Sequence, residues 1–186
     1  MSYLFIGTPL RDAVQAPANE DGAILGLAID LDRCIACRAC EVHCQLEHDL
    51  PPEVRPMQVV SVLPFACAHC ADPPCAAVCP TGAIAKRADG LVLLDEARCI
   101  GCRFCIVACP YGSPKYDARG NRVVKCDLCV TRMDWGYWPA CATKCSMKAI
   151  HLLDPERLRR LRAENRVRGG GELILDGAGS GTGVQR

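Results

Sequence analysis

Cysteine is the residue that most constrains what this chain can fold into. Sixteen of the 186 residues are cysteines, and they fall into four groups of four, here called motifs one to four. In chain order the groups are Cys34, Cys37, Cys40 and Cys44, then Cys67, Cys70, Cys75 and Cys79, then Cys99, Cys102, Cys105 and Cys109, and then Cys126, Cys129, Cys141 and Cys145. Aromatic residues make up only 5% of the chain, so the cysteines must hold much of the fold together.

The spacing within the motifs indicates iron–sulfur ligation. Motifs one and three have the spacing C-x2-C-x2-C-x3-C. A loop with a cysteine at every third position can wrap a cubane cluster, place three thiolates on three irons and turn backbone N–H groups towards the sulfurs. In two-cluster ferredoxins the fourth cysteine of such a motif binds the other cluster. Motif two is spaced C-x2-C-x4-C-x3-C, and motif four has eleven residues between Cys129 and Cys141.

Zinc and disulfides are the alternative uses of so many cysteines. Structural zinc uses C-x2-C pairs separated by a longer spacer, which motif four alone satisfies, whereas motifs one and three are too crowded. Disulfides persist in oxidising compartments, and residues 1–17 lack the basic start and long apolar run of a secretory signal. We therefore expect a cytoplasmic protein that binds iron, with export on a partner's signal as the alternative.

Charge and hydropathy do not point to nucleic acid or to a membrane span. The formal net charge is +1 at pH 7, and a nearly neutral chain does not favour a nucleic-acid partner. No stretch approaches the roughly 18 consecutive apolar residues of a spanning helix.

The chain contains an internal repeat. Residues 30–44 (DLDRCIACRACEVHC) align with residues 95–109 (DEARCIGCRFCIVAC) at an offset of 65, and residues 74–84 (PCAAVCPTGAI) align with residues 140–150 (ACATKCSMKAI) at an offset of 66. Each copy contains two motifs, which is the layout of a two-cluster ferredoxin.

Short apolar runs around the cysteine loops predict strands. The predicted strands are 24–29, 57–63, 83–86, 91–94 and 149–153. A turn at 88–90 joins two of them in a hairpin, and brief helices are expected after the fourth cysteine of each motif.

The motifs together resemble a known family. Four consecutive motifs, with C-x2-C-x4-C-x3-C-P second and a gapped fourth, are similar to the four-cluster ferredoxin-like electron-transfer subunits over about residues 24–153. Such subunits accompany molybdenum or tungsten pterin oxidoreductases, such as dimethyl sulfoxide reductase, formate dehydrogenase and thiosulfate reductase. Related small proteins serve carbon monoxide dehydrogenases, hydrogenases and tungsten aldehyde oxidoreductases.

The resemblance implies how the sixteen cysteines divide among four [4Fe-4S] clusters. The implied sets are Cys34, Cys37, Cys40 and Cys145 for cluster one, Cys44, Cys126, Cys129 and Cys141 for cluster two, Cys67, Cys70, Cys75 and Cys109 for cluster three, and Cys79, Cys99, Cys102 and Cys105 for cluster four. The repeat by itself equally allows pairing within each copy, motif one with two and motif three with four. The resemblance also implies a relay with cluster one nearest the catalytic subunit and cluster four at the far end.

The expected fold is α+β, with two interleaved dicluster ferredoxin-like halves built from small antiparallel sheets and short helices. Residues 23–60 plus 120–153 form the half that holds motifs one and four, and residues 61–119 form the half that holds motifs two and three. Residues 1–22 are expected to be an irregular extension, and residues 154–186 a basic helix with a flexible tail.

The predicted function is electron transfer through four [4Fe-4S] clusters, without catalysis by this chain itself. The favoured partners are a large molybdenum or tungsten pterin catalytic subunit and a second redox subunit or carrier. One alternative is service to a nickel enzyme (carbon monoxide dehydrogenase or hydrogenase) or as a free polyferredoxin. A zinc-ribbon interaction module is the more remote alternative.

Other side chains near the motifs have two interpretations each. His43 and His69 are expected to pack rather than to bind iron, because every motif already has four thiols. Trp135, Tyr137 and Trp138 are expected to pack in the core, with a docking face as the alternative. Basic residues beside the ligands can offset the clusters' negative charge or be solvated surface charges; they are Arg33, Arg38, Arg98, Arg103, Lys125 and Lys144.

The metal content of the isolated chain distinguishes iron from zinc. We expect about sixteen iron atoms per chain, together with a broad visible absorption that bleaches on adding dithionite. Elemental analysis and absorption spectra of anaerobically purified protein provide the test. A colourless protein with about four zinc ions per chain would contradict the iron–sulfur prediction.

Overall fold

The computed structural model describes residues 3–7 and 26–153. Its fold is α+β with small antiparallel sheets and short helices, which confirms the predicted fold class. The helices are α1 (Ala39–Glu47), α2 (Pro74–Ala77), α3 (Phe104–Ala108), α4 (Val130–Asp134) and α5 (Ala140–Thr143). The strands are β1 (Tyr3–Gly7), β2 (Gly26–Asp30), β3 (Gln58–Val60), β4 (Leu63–Phe65), β5 (Ile84–Lys86), β6 (Val92–Leu94), β7 (Lys115–Asp117), β8 (Arg122–Val124) and β9 (Ile150–Leu153).

A three-stranded antiparallel sheet connects the beginning and the end of the described chain. β2 lies between β1 and β9, and all five of its residues are buried, as in a central strand. β2 leads directly into motif one, while β9 follows directly after motif four. Where the two strands meet, the backbone N–H of Asp30 donates to the carbonyl of Ala149 at 2.7 Å. This pairing brings the start of motif one to the end of motif four.

The remaining strands form three two-stranded hairpins, β3–β4, β5–β6 and β7–β8. The β5–β6 hairpin is the one predicted from the turn at 88–90, and it pairs Ile84 with Leu94. Gly90 has φ 93° in that turn, a backbone conformation that favours glycine. The β7–β8 hairpin was not predicted, because three-residue strands such as KYD give too little hydrophobic periodicity.

The prediction of a single strand over 57–63 is wrong. The segment forms β3, turns at Ser61 and returns as β4, with Val60 paired with Leu63. Ser61 has φ 57°, in the left-handed region, so the chain reverses there. Val60 and Val62 remain exposed on either side of this turn. The apolar run VVSVL therefore indicates β structure correctly but conceals the reversal.

The prediction that helices follow the fourth cysteine of each motif is also wrong. α1, α2, α3 and α5 each begin one residue before the third cysteine of their motif. α1 continues through Cys44, whereas the other three end one or two residues before the fourth cysteine. The physical reason is the C-x3-C spacing, because residues four apart lie on the same face of a helical turn.

The N-terminal prediction is partly corrected. Residues 3–7 form an edge strand, β1, with Tyr3 paired with Asp30, where irregular structure was expected. A short apolar run gives no sign of a pairing partner so distant in the sequence. The rest of the 1–22 extension, and the predicted basic helix and tail of 154–186, lie outside the described residues.

Within residues 26–153, two groups of buried side chains belong to the core, and cysteines are part of both. The larger group contains Leu27, Ile29, Met57, Leu91 and Ile150 with Cys40, Cys44 and Cys141. The smaller group contains Ile84, Val92 and Val123 with Cys75 and Cys105. α1 packs against α5, and α2 packs against α3. Within the described residues, no helix has the length and apolar character needed to cross a membrane.

A matched pair of aspartates tests how the first cysteine loop is held. Asp30 is 1% exposed, and its Oδ1 accepts hydrogen bonds from the N–H groups of Asp32 (3.1 Å) and Arg33 (3.3 Å). Asp95 occupies the equivalent repeat position but is exposed, and its Oδ1 accepts from the N–H of Ala97 at 2.9 Å.

We expect Asp30→Ala to cost about 1–3 kcal/mol, because it removes both hydrogen bonds of a buried carboxylate to the loop. Asp95→Ala should change stability by less than about 0.5 kcal/mol. The measurement is the guanidinium concentration at which the visible absorption is lost. Equal changes in the two variants would contradict the account of the first loop.

Candidate iron–sulfur sites

Three pockets are each lined by four cysteines that come from two motifs. Site one contains Cys34, Cys37, Cys40 and Cys145. Site three contains Cys67, Cys70, Cys75 and Cys109, and site four contains Cys79, Cys99, Cys102 and Cys105. The three pockets are narrow, with cavity volumes of about 20, 10 and 10 Å³ respectively. They are therefore alike in size as well as in donor atoms.

The other four cysteines form a more deeply buried group, site two, which contains Cys44, Cys126, Cys129 and Cys141. Burial raises the pKa of Cys141 well above its ordinary value, and the neighbouring sulfurs of Cys126, Cys129 and Cys44 raise it further. Cys44 and Cys141 belong to the larger core group and Cys126 packs against it, so these cysteines are neighbours in the core. Site two is made from the fourth cysteine of motif one and three cysteines of motif four.

The distances between the sulfurs distinguish a cluster from a single metal ion. Among the described residues, no three cysteine sulfurs lie within 4.8 Å of one another. Four thiolates on one zinc ion, at about 2.3 Å each, would be about 3.8 Å apart. The four-cysteine sites are therefore too wide for one zinc ion, and their donor atoms fit a cluster that offers four separate irons.

Burial also sets the protonation of these thiols. Desolvation raises the pKa of Cys40 and Cys44 to about 12, and that of Cys70 and Cys105 to about 11. Thiols in such surroundings stay protonated at neutral pH unless a cation stabilises the thiolate. The sites therefore need the positive charge of bound iron to hold sixteen thiolates so close together.

Hydrogen bonds to sulfur appear at several of the sites. The backbone N–H groups of Ala149 and His69 donate to the sulfurs of Cys145 (3.3 Å) and Cys67 (3.4 Å). At Cys79, burial acts to raise the thiol pKa, but hydrogen bonds from the Ile84 N–H and the Thr81 hydroxyl outweigh it and lower the pKa. Donors aimed at ligand sulfurs stabilise the thiolate and tune the potential of a bound cluster.

A shared backbone conformation shapes the C-x2-C loop of all four motifs. The residue before the second cysteine has positive φ in each case: 53° at Ala36, 43° at His69, 69° at Gly101 and 58° at Leu128. This left-handed residue closes the loop, so that the two cysteines point towards a common centre. Only Gly101 has the residue type that this conformation favours, so residue types alone give little indication of the rule.

A second shared turn follows the fourth cysteine of motifs two, three and four. The residues three positions later are Gly82, Gly112 and Lys148, all with positive φ. Their N–H groups donate to the carbonyls of Cys79, Cys109 and Cys145 at 3.2, 3.1 and 3.0 Å. The sequence signal for this turn is present in CPTG and CPYG, as a glycine at a fixed distance from the cysteine.

The four sites follow one another in space. Burial is the main reason for the raised thiol pKa of Cys44, Cys126 and Cys105, and in each case a sulfur of another site adds to it. The sulfur of Cys40 in site one acts on Cys44 in site two. In the same way, Cys67 in site three acts on Cys126 in site two, and Cys75 in site three acts on Cys105 in site four. Cys40 and Cys44 share the larger core group, and Cys75 and Cys105 share the smaller one, which agrees with the order one, two, three, four.

The histidines take different roles. His69 is buried, and its Nδ1 accepts the backbone N–H of Val92 at 3.0 Å, which fits the packing role that was expected. His43 is half-buried. Sequence reasoning missed His48, whose Nε2 lies 3.4 Å from the sulfur of Cys129 and 3.5 Å from Oδ1 of Asp127. Because His48 is far from Cys129 in the sequence, no local pattern could reveal this contact.

The aromatic residues of motif four do not pack in the core as expected. Trp135, Tyr137 and Trp138 are 78%, 62% and 46% exposed. Tyr137 and Trp138 line an open groove of about 460 Å³ beside α5. Gly136, with φ 79°, turns the chain between them and keeps the segment on the surface.

The fold and the pockets are those of a cysteine-rich protein in which cysteines from two motifs line each of three pockets. Its relatives narrow the class. The 4Fe-4S dicluster domain family matches residues 58–154. The probable anaerobic dimethyl sulfoxide reductase chain YnfG of Escherichia coli (strain K12) is 39% identical over 155 residues, covering 73% of this chain and 76% of its own length.

Two further relatives agree with this class. An anaerobic dimethyl sulfoxide reductase chain of Haemophilus influenzae is 37% identical over 155 residues, covering 72% of this chain and 76% of the relative. The formate dehydrogenase iron-sulfur subunit of Wolinella succinogenes is 36% identical over 163 residues, which cover 70% of this chain and 82% of the relative. The chain belongs to the 4Fe-4S dicluster family of electron-transfer subunits of oxidoreductase complexes. It binds multiple [4Fe-4S] clusters and is not itself the catalytic subunit, as predicted.

Matched positions in the repeat test the left-handed loop residue. A Cβ at Gly101 would lie 3.2 Å from the carbonyl oxygen of Asn121, and the φ of 69° adds strain for any other residue. We expect Gly101→Ala to destabilise the cluster-loaded protein by about 1–2 kcal/mol. Ala36→Gly, at the equivalent position of motif one, relieves strain while adding unfolded-state entropy, and should stay within about 1 kcal/mol of the native chain.

The rate at which the visible absorption disappears in guanidinium provides the readout for both variants. Gly101→Ala should lose its absorption faster than the native protein, while Ala36→Gly should not. A Gly101→Ala variant as resistant as the native protein would contradict the proposed role of the loop conformation.

Proposed function

We propose that the chain holds four [4Fe-4S] clusters, one at each of sites one to four, and relays single electrons between them. The observation that carries the proposal is the arrangement of sulfurs. Each site combines four thiols from two motifs, motif one with four and motif two with three, at spacings too wide for a single ion. This grouping favours the ligand sets implied by the resemblance over pairing within each repeat copy.

The order of the sites supports a linear relay. Sites one and two adjoin through Cys40 and Cys44, sites two and three through Cys126 and Cys67, and sites three and four through Cys75 and Cys105. An electron would pass along this order without a coupled proton, because the ligands at every site are thiolates.

Both ends of the relay present apolar side chains to the surface. At site one, Ile35 is 63% exposed and Cys37 is exposed. At site four, Ile100 and Phe104 are 67% and 58% exposed. Exposed apolar residues beside a redox centre suit docking of a partner, so each end can exchange electrons with a different protein.

The partner at site one is, in our proposal, a molybdenum or tungsten pterin catalytic subunit, and a second redox subunit or carrier meets site four. Relatives named as dimethyl sulfoxide reductase and formate dehydrogenase chains support this choice over a nickel enzyme. Cluster assembly on sixteen reduced thiols favours the cytoplasm.

The division into two dicluster halves is part of the same proposal. Packing of α1 on α5 supports a half built from motifs one and four, and packing of α2 on α3 supports a half built from motifs two and three. Val123 on β8 packs in the smaller core group with Ile84 and Val92. The two halves therefore share β8 at their boundary.

Serine substitutions test the ligand pairing. We expect Cys79→Ser and Cys99→Ser to alter the same electron paramagnetic resonance (EPR) signal, because both ligate cluster four. Cys34→Ser and Cys145→Ser should alter a different signal, that of cluster one. The measurement is EPR-monitored redox titration of each anaerobically purified variant. If Cys79→Ser instead altered the signal that Cys34→Ser alters, the motifs would pair within each repeat copy and the proposed ligand sets would be wrong.

A further inference from the structure

One basic side chain beside the ligands differs from the others in its burial. Arg33, Arg38, Arg98, Arg103 and Lys144 are all exposed. Lys125 is only 6% exposed and lies in the wall of site three. Its backbone neighbour Cys126 belongs to site two, so Lys125 stands at the junction between the two sites.

The contacts of Lys125 fix its ammonium group but do not neutralise it. Its Nζ donates to the carbonyl oxygens of Val92 and Cys126, the latter at 2.7 Å. No aspartate or glutamate within residues 26–153 forms an ion pair with it. A buried lysine is normally paired with an anion. The anionic groups that site three offers are the cysteine sulfurs.

The charge of Lys125 acts on these sulfurs. Lys125 lines the same pocket as Cys67, Cys75 and Cys109, so its ammonium group lies beside these sulfurs. With four thiolates, an oxidised [4Fe-4S] cluster carries a net charge of about −2. Each added electron makes that charge more negative, and a nearby cation stabilises the reduced form more than the oxidised form.

We propose that Lys125 is a positioning residue for electron transfer: its buried ammonium group raises the reduction potential of cluster three and, to a smaller extent, of cluster two. The inference rests on the proposed function of sites two and three. It gives the relay a fixed cation where electrons cross from the motif one and four half to the motif two and three half. The step involves one electron, accepted by one cluster from its neighbour, with no proton transferred.

Lys125 also holds β6 through the carbonyl of Val92, so the test must separate charge from structure. Lys125→Gln removes the charge and retains a hydrogen-bond donor. Lys86→Gln is the matched control, because Lys86 also lies near site three: burial lowers its pKa, and the sulfur of Cys70 opposes that change. Its side chain is exposed, with Nζ donating to the carbonyl of Ala71 at 2.7 Å. Solvent screens an exposed charge far more than a buried one.

The experiment is EPR-monitored redox titration of the cluster-loaded full chain, with iron content measured on each sample. For Lys125→Gln we expect the reduction equilibrium of cluster three to shift at least about tenfold towards the oxidised form, which is about 59 mV for a one-electron couple. Cluster two should shift less, and clusters one and four should keep their potentials. Lys86→Gln should shift the reduction potential of cluster three by less than half as much as Lys125→Gln does.

If a fully loaded Lys125→Gln variant kept the reduction potentials of all four clusters unchanged, the inference would be overturned and the proposed function would remain intact. Absence of [4Fe-4S] signals from the native chain would instead overturn the proposed function. If Lys125→Gln loses cluster three, the comparison is with Cys70→Ser, which loses the same ligand set but keeps Lys125. Cluster two should then have a lower potential in Lys125→Gln than in Cys70→Ser, and equal potentials would contradict the role of the charge.

Discussion

The fold depends on bringing sulfur atoms from separate motifs together, as at the three pockets that are each lined by four cysteines. Thiols this deeply buried stay protonated by themselves, as the pKa of about 12 at Cys40 and Cys44 indicates. Iron supplies the charge that keeps them as thiolates, and in return the sulfurs connect segments that little apolar packing would hold together. The sheet of β1, β2 and β9 matters because it places the two ends of the cysteine-bearing chain side by side, at site one.

The part of the fold that is local in sequence could be predicted from it. The fold class and the β5–β6 hairpin follow from patterns within a few residues of one another, and the repeat follows from comparing two such stretches of sequence. The features that were not predicted have a common cause. Each of them depends on a residue far away in the sequence or on a single backbone angle. β1 is a strand because it pairs with β2. The apolar run at β3 and β4 reverses at Ser61, which has a left-handed backbone conformation. His48 contacts Cys129 only in the folded chain.

For the candidate sites, too, local features could be predicted from the sequence, whereas features that depend on distant residues could not. The identity of the sixteen donors is evident from their spacing, because ligand chemistry is encoded locally in each motif. The repeat leaves their division among four sites open, since that depends on which motifs meet in space. The exposure of Trp135 was not predicted for a similar reason, because the sequence of an aromatic segment does not show whether the rest of the fold buries it. The burial of Lys125, too, is visible only once β8 is placed beside site three.

A crystal structure of the natively purified complex, with anomalous diffraction recorded at the iron, molybdenum and tungsten edges, tests the central claim most directly. The account predicts four iron clusters in a row within this chain, each surrounded by the four cysteines of one site, with the molybdenum or tungsten signal beyond site one. Clusters bound by motifs one and two together, or single metal ions in place of clusters, would contradict the ligand sets. A molybdenum or tungsten centre beyond site four would contradict the proposed order of the relay.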